Sequence, residues 1–207
     1  MPNLEQRSYI FEIRAERAEN GIATLRGTPI VYGSPTDIGG WFREIIEPGA
    51  LMGANLKDVP LLVNHNERMI PVARSRNNTP NSTMRLTPTA LGLDMEADID
   101  TERNATAREL DSAVERGDLD GMSFKFSVKE ESWDDLNTDY PTRHIISFDT
   151  IAEVSAVTWP AYEATSIYAA RCKDALESAR SALDSARSLD SDDLELLKAK
   201  TKILGGI

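Results

Sequence analysis

The sequence predicts an α+β domain rich in strands: a mainly antiparallel, barrel-like sheet with flanking helices, followed by a helical C-terminal tail. Three observations carry this. Several short runs alternate apolar and polar residues, the period of two expected of half-buried strands. One segment, Thr101 to Arg116, repeats its apolar residues at helical spacing instead. After Arg171 the composition shifts to Ala, Ser, Asp, Leu and Lys, so the chain divides into residues 1–171 and a tail of 172–207. Closing the sheet into a barrel hides the edges that so many strands otherwise expose.

Taken in order, residues 9–33 read as paired strands. Tyr9, Phe11 and Ile13 alternate with Ile10, Glu12 and Arg14, Asn20-Gly21 supplies a turn, and Ile22 to Leu25 runs back. A loop follows from Gly33 to Gly40, then an apolar run, Trp41 to Ile46, broken by Pro48-Gly49. Val59, Leu61, Val63 and His65 share one face of a short buried strand. Two strands, near Met84–Leu86 and Leu91–Ala97, come after a polar loop at residues 77–81. The helix from Thr101 groups Ala107, Leu110, Ala113 and Val114, with Asp100 or Thr101 as its cap and Gly117 as its stop. In Gly121–Lys129, Met122, Phe124, Phe126 and Val128 point one way, and Ser123, Lys125, Ser127 and Lys129 the other. A polar excursion, Glu130 to Thr142, leads to a long strand, His144 to Thr158, which Trp159-Pro160-Ala161-Tyr162 terminates. In the tail, Leu176, Ala179, Leu183 and Ala186 form a helical stripe, and Ser191 caps a second helix.

Bulk composition narrows the function. At 207 residues, 41% hydrophobic and 28% charged, the chain can bury a real core and carry an appendage. No run approaches the ~20 apolar residues of a membrane span, and the polar start, Met1 to Arg7, lacks the apolar segment of a secretory signal. Cys172 is the only cysteine, which excludes an internal disulfide and a Cys-rich metal site, and suggests a reducing cytoplasm. A net charge of −11 argues against nucleic acid as partner. No cofactor and no metal is called for.

Few residues can carry chemistry. The chain has two histidines. His65 stands between Asn64 and Asn66 where a strand leaves the core; it is either a general base or an ordinary surface histidine. Ser123 lies on the polar face of a Met/Phe strand, and a serine needs a neighbouring base to become a nucleophile. Lys125, two residues on, keeps a Ser–Lys dyad open as a lesser alternative. Glu153 interrupts the apolar run Ile151 to Val157, so it is paired, faces a cleft, or lies on an edge in water. Asp149 and His144, on the same strand, compete with it for a third position.

What goes further is a resemblance. Gly27-Thr28-Pro29-Ile30-Val31-Tyr32-Gly33, Phe42 to Leu51, Leu61-Leu62-Val63-Asn64-His65-Asn66, Pro71-Val72-Ala73-Arg74, Gly92-Leu93, Gly121-Met122-Ser123-Phe124-Lys125-Phe126 and Glu153 to Tyr162 stand in the order found in the prohead maturation proteases of tailed bacteriophages. Together they span roughly residues 25–170 of the chain. Two departures stand out: Lys125 where a small residue is usual, and Ala73 where a glycine often precedes Arg74.

The resemblance implies an assemblin-like fold, related to the herpesvirus assembly proteases, and a serine endopeptidase with Ser123 as nucleophile and His65 as base. Glu153 is the choice for third member, although the assemblins use a second histidine there. It further implies action in the host cytoplasm inside the assembling prohead, on the scaffolding segments of the major capsid protein and on the chain itself, with dimerisation or higher self-association. Arg74 is a possible aid to the oxyanion. The tail then co-assembles with scaffold, is removed by self-cleavage, or simply packs on its own domain. Two rivals remain at this point: a catalytically inactive scaffold or capsid-assembly protein of the same fold, and a small-ester hydrolase, which the lack of a Gly-x-Ser-x-Gly elbow around Ser123 weakens.

Overall fold

The computed structural model describes residues 4–10, 13–17, 21–158, 173–185 and 187. In them, two sheets and a helix enclose one core. The strands are β1 (Glu5–Ile10), β2 (Arg14–Arg17), β3 (Ile22–Val31), β4 (Thr36–Ile38), β5 (Phe42–Ile46), β6 (Val59–Val63), β7 (Ala73–Ser75), β8 (Met84–Pro88), β9 (Gly92–Asp100), β10 (Gly121–Asp134) and β11 (Thr142–Val157), with helix α1 (Ala105–Arg116) between β9 and β10. A seven-stranded sheet runs β1-β10-β11-β5-β4, with β6 pairing both β11 and β7; the second sheet, of four strands, runs β2-β3-β9-β8. Among the described residues these pairings form two sheets around a shared interior and close neither into a ring, which leaves the α+β class supported and the barrel itself without support.

Most pairings are antiparallel, but β11 is the exception along one edge. Its beginning pairs in parallel with β5 and its end in parallel with β6. Sixteen residues give it the length to hold two partners in series. The core between the sheets takes Leu25, Ile30, Met95 and Ile99 from one and Met122, Phe124, Phe126, Phe148 and Val154 from the other, with Ala107, Leu110 and Val114 of α1. Phe126 and Phe148 meet edge to face, their ring centroids 5.1 Å apart.

Local chemistry explains most element ends. Asn104, not Asp100 or Thr101, caps α1: its side chain accepts from the Ala107 amide at 3.2 Å. Asp100 is occupied one turn earlier, accepting from the amides of Glu102 and Arg103. Gly117 closes the helix in the left-handed conformation, as its position suggested. Pro29 has no N–H for a ladder, and it sits where the β3–β9 register shifts between Gly27 and Ile30. Beside that irregularity Gly92 has φ +154, and an added Cβ would lie 1.8 Å from the Ile30 carbonyl oxygen, so no other residue fits.

Other boundaries depart from the pattern reading. Residues 36–38 form β4 inside the expected loop, and β10 and β11 extend into the supposed polar excursion as a long hairpin. Residues 173–185 are helical, as the stripe predicts. Leu176 of that helix is buried with Ile38 and Phe42, and Arg180 donates to the carbonyls of Leu136 and Thr138. The terminating Trp159–Tyr162, Cys172, Ala186 and the second tail helix lie outside the described residues.

The largest surprise is buried charge. Arg7, Arg143 and Glu44 are each within 2% of full burial, and both guanidiniums engage Glu44. Glu5 and Glu131 close the cluster by pairing with Arg143, and the Arg7 guanidinium also lies over the Phe126 ring at 5.3 Å. These contacts tie β1, β5, β10 and β11 together. Burial alone would raise the Glu5 pKa, but the hydrogen bond from Arg143 and the charges of Arg7 and Arg143 outweigh it and hold it at about 2. Arg143 is correspondingly held above its ordinary value: burial works against its charge, and Glu5 and Glu44 more than compensate.

A group depressed on folding stabilises the fold above its unfolded pKa and stops doing so as pH falls through its folded one. Chemical denaturation followed from pH 7 downward therefore shows stability falling between about 4.5, the ordinary value for Glu5, and about 2. Substituting Glu44→Gln leaves two buried guanidiniums short of charge and costs about 3 kcal/mol at pH 7 by urea denaturation.

Candidate active site

The site is built on the polar face of the β10–β11 pair. Met122, Phe124 and Phe126 turn into the core opposite Ala156, Val154 and Ile151. Between them Ser123 stands directly across from Ser155, and Lys125 across from Glu153. Directly opposed residues share a face. In a regular strand Ile151 and Glu153, two apart, would also share one. They do not, because the register skips Ala152: Lys125 pairs with Glu153 and the next residue, Phe126, with Ile151. This bulge turns the carboxylate to the polar face while leaving the isoleucine in the core. A second skip, at Asp149, separates Thr150 from Phe148 in the same way.

The opposite wall comes from the segment after β6. Because β6 runs parallel to β11, with Leu62 beside Ser155 and Val63 beside Ala156, the chain leaves the sheet beside Ala156. The strand ends at Val63, two residues earlier than expected, and His65 is in a turn. Asn64 and His65 both adopt left-handed backbone, with φ 51 and 56. Asn and His tolerate this better than most residues, yet each position stores strain. Hydrogen bonds hold it in place. The Asn64 amide donates to the Ala156 carbonyl at 2.9 Å, its Nδ2 donates to Thr158 Oγ1 at 3.1 Å, and its Oδ1 accepts from the Thr158 amide at 3.0 Å. The turn delivers the His65 ring to Glu153, where Nδ1 contacts Oε1.

An ionised carboxylate can only accept, so in this pair Nδ1 carries the proton and Nε2 is the basic nitrogen. His65 Nε2 is buried and makes no hydrogen bond. Glu153 is 3% exposed; its Oε1 also accepts from the Ser155 hydroxyl at 3.1 Å, while Oε2 is buried without a partner. Ser123 is fully buried, and its Oγ donates to the Arg7 carbonyl of β1 at 2.7 Å. Of the expected residues, His65 and Glu153 thus touch, and Ser123 lies on their face one pair along, its proton directed at β1.

The other candidates are engaged elsewhere. Lys125 is ion-paired with Glu67, and that hydrogen bond, with the lysine's charge, lowers the Glu67 pKa. Lys125 Nζ is thus engaged by a carboxylate, which lends a Ser–Lys dyad no support. His144 lies near the far end of β11, with Nδ1 2.7 Å from Glu47 Oε1. Asp149 accepts from Ser127 Oγ at 3.1 Å. Arg74 is held by Asp58 through two bonds of 2.6 and 2.7 Å. Ser155 was missed by sequence reasoning, since a serine in an apolar strand carries no signal of its own.

An open cleft of about 770 Å³ adjoins the ring, walled by Asn64, His65, Glu67 and Met69 from the turn, Thr106 and Glu109 from α1, and Lys125. Among the described residues no group of three or more His, Cys, Asp and Glu is placed to hold a metal, and no helix is long and apolar enough to cross a membrane.

The chain is 28% identical over 141 residues to the prohead protease of Enterobacteria phage HK97, a match covering 66% of this chain and 57% of that protein's length. No solved structure matches. The family model described as caudovirus prohead serine protease matches residues 10–179, which include the β10–β11 face, the His65 turn and α1. By that match the chain belongs to the caudovirus prohead serine protease family.

Proposed function

We propose that this chain is the maturation protease of a phage prohead, with Ser123 as nucleophile, His65 as general base and Glu153 as the group that orients the histidine. The supporting observation is the His65–Glu153 pair: it keeps the proton on Nδ1 and leaves a buried, unpartnered Nε2 on the face that carries Ser123. Rotation about the Ser123 side-chain bond transfers its hydroxyl from the Arg7 carbonyl towards Nε2. Nε2 then takes the proton as Oγ attacks the scissile carbonyl, and returns it to the departing amine. Glu153 stabilises the imidazolium formed between these steps. In this reading the contact of Ser123 with Arg7 belongs to a resting arrangement.

The substrates in this reading are the scaffolding segments of capsid subunits enclosed in the prohead, and the protease chain itself. The open cleft beside His65 suits an extended, flexible peptide better than a small ester, which would need an enclosed pocket. Self-association and loss of the tail after Arg171 belong to the same proposal. Against an inactive assembly protein stands the His65 arrangement itself, with Nδ1 held by a buried carboxylate and Nε2 left unbonded, as a general base requires.

Co-expression with the capsid protein of its phage tests the reading. Ser123→Ala and His65→Ala should each abolish processing on a gel, a loss of at least ~10⁴-fold in purified form. Capsid cleavage at the wild-type rate by either variant would overturn it. Glu153→Gln lowers kcat by about 10⁴-fold through the wrong tautomer, whereas His144→Gln leaves it near wild type. Asn64→Ala, which removes the side-chain bonds to Thr158 and strains the turn, lowers kcat/KM by about 10²-fold without changing the fold seen by circular dichroism.

A further inference from the structure

We infer that Ser155 is a positioning residue for the His65–Glu153 pair, setting the basicity of the histidine by holding a second hydrogen bond on the carboxylate. The inference rests on the proposed catalytic roles of His65 and Glu153. Ser155 is fully buried, lies directly across from Ser123, and donates through Oγ to Glu153 Oε1 at 3.1 Å. The same oxygen meets His65 Nδ1. A serine between core residues Val154 and Ala156 adds nothing to packing that alanine would lack, so its hydroxyl needs another explanation.

Two effects follow from this bond. It fixes the carboxylate, which has no other partner on Oε2, in the rotamer that reaches His65. It also stabilises the ionised carboxylate and so moderates its pull on the imidazole proton. Remove the hydroxyl, and Glu153 becomes the stronger base. A proton then binds more readily to the pair, whichever member is regarded as holding it. Both descriptions move the titration in one direction, upward.

The remaining charges around the pair come from three elements. Lys125 of β10 stands opposite Glu153 and is paired with Glu67; Arg68 follows on the same turn; and Glu109 of α1 lines the cleft. The described part of β6 brings only apolar residues and Pro60. None of these groups bonds to Ser155 Oγ, so its removal leaves them in place.

The test is the titration of the His65 ring by NMR in the full-length protein without substrate, in wild type and Ser155→Ala. The chain has two histidines, and a His144→Gln background assigns the signals. Ser155→Ala should raise the His65 midpoint by about 0.5–1 pH unit, with the acid limb of kcat/KM moving up by the same amount and KM little changed. Ser155→Cys, which keeps the volume and a weak donor, should fall between the two, and serves for the same comparison if the alanine variant does not fold. A midpoint within 0.2 unit of wild type, or one that falls, overturns the assignment. Because the titration needs no turnover, it separates two failures. An unmoved His65 in a chain that still depends on Ser123 and His65 for cleavage defeats only the role of Ser155. Cleavage that survives loss of Ser123 defeats the proposed function itself.

Discussion

The β10–β11 pair is the constraint on which the rest of the molecule depends. One face of this antiparallel ladder is aromatic and closes the core with Phe124, Phe126 and Phe148; the other is polar, and yet buried, with Ser123, Glu153 and Ser155. Two functions are thereby written on one ribbon, and the rigidity of the first is lent to the second. A hydroxyl and a carboxylate on neighbouring positions of a packed ladder can drift by only fractions of an ångström before core contacts are lost. The bulge at Ala152 is what makes both faces possible, since a regular strand would send Ile151 and Glu153 the same way.

Around that ribbon, burial of charge is the costly choice that recurs. The cluster of Arg7, Arg143, Glu44, Glu5 and Glu131 sits where a hydrophobic cluster would have been no less stable. What ions add is pairing specificity: fork-shaped guanidiniums accept a carboxylate at one register and leave it exposed to penalty at any other. The strand they place, β1, is the one whose main chain meets Ser123. The polar cluster and the proposed nucleophile are thus joined through one residue, Arg7, whose guanidinium belongs to the cluster and whose carbonyl accepts from Ser123.

Much of this was legible in the sequence, and the failures have physical causes. The alternation in Gly121–Lys129 and the helix closed by Gly117 could be read because period and capping are local properties. The turn at Asn64-His65 could be suspected from residue type, although the strand was expected to continue through it. What escaped were consequences of pairing. None of the three skips in β11, at Ala152, Asp149 and Ile146, has a residue signature, so the faces of that strand could not be read from spacing alone. The burial of Arg7, Arg143 and Glu44 has no local signature, because charge is the usual mark of exposure, and for Arg143 and Glu44 the partner lies nearly a hundred residues away. The choice of Ser123, His65 and Glu153 as a set rested on resemblance; composition and spacing alone left three acidic or basic rivals standing. The barrel was inferred from a general need to protect edges, a need that two sheets sharing a core can meet by other means.

The acceptor that holds the Ser123 hydroxyl is a main-chain oxygen, and this has an evolutionary corollary. No exchange of side chain at position 7 can delete it, so the contact is encoded in strand alignment and not in residue identity. Point substitution along β1 would erode it slowly, by loosening the ionic anchors. A single inserted or deleted residue there would abolish it at once, because sliding an antiparallel strand by one position turns every carbonyl to the opposite edge. Relatives should therefore conserve the length of this strand more strictly than its letters outside the ionic anchors Glu5 and Arg7.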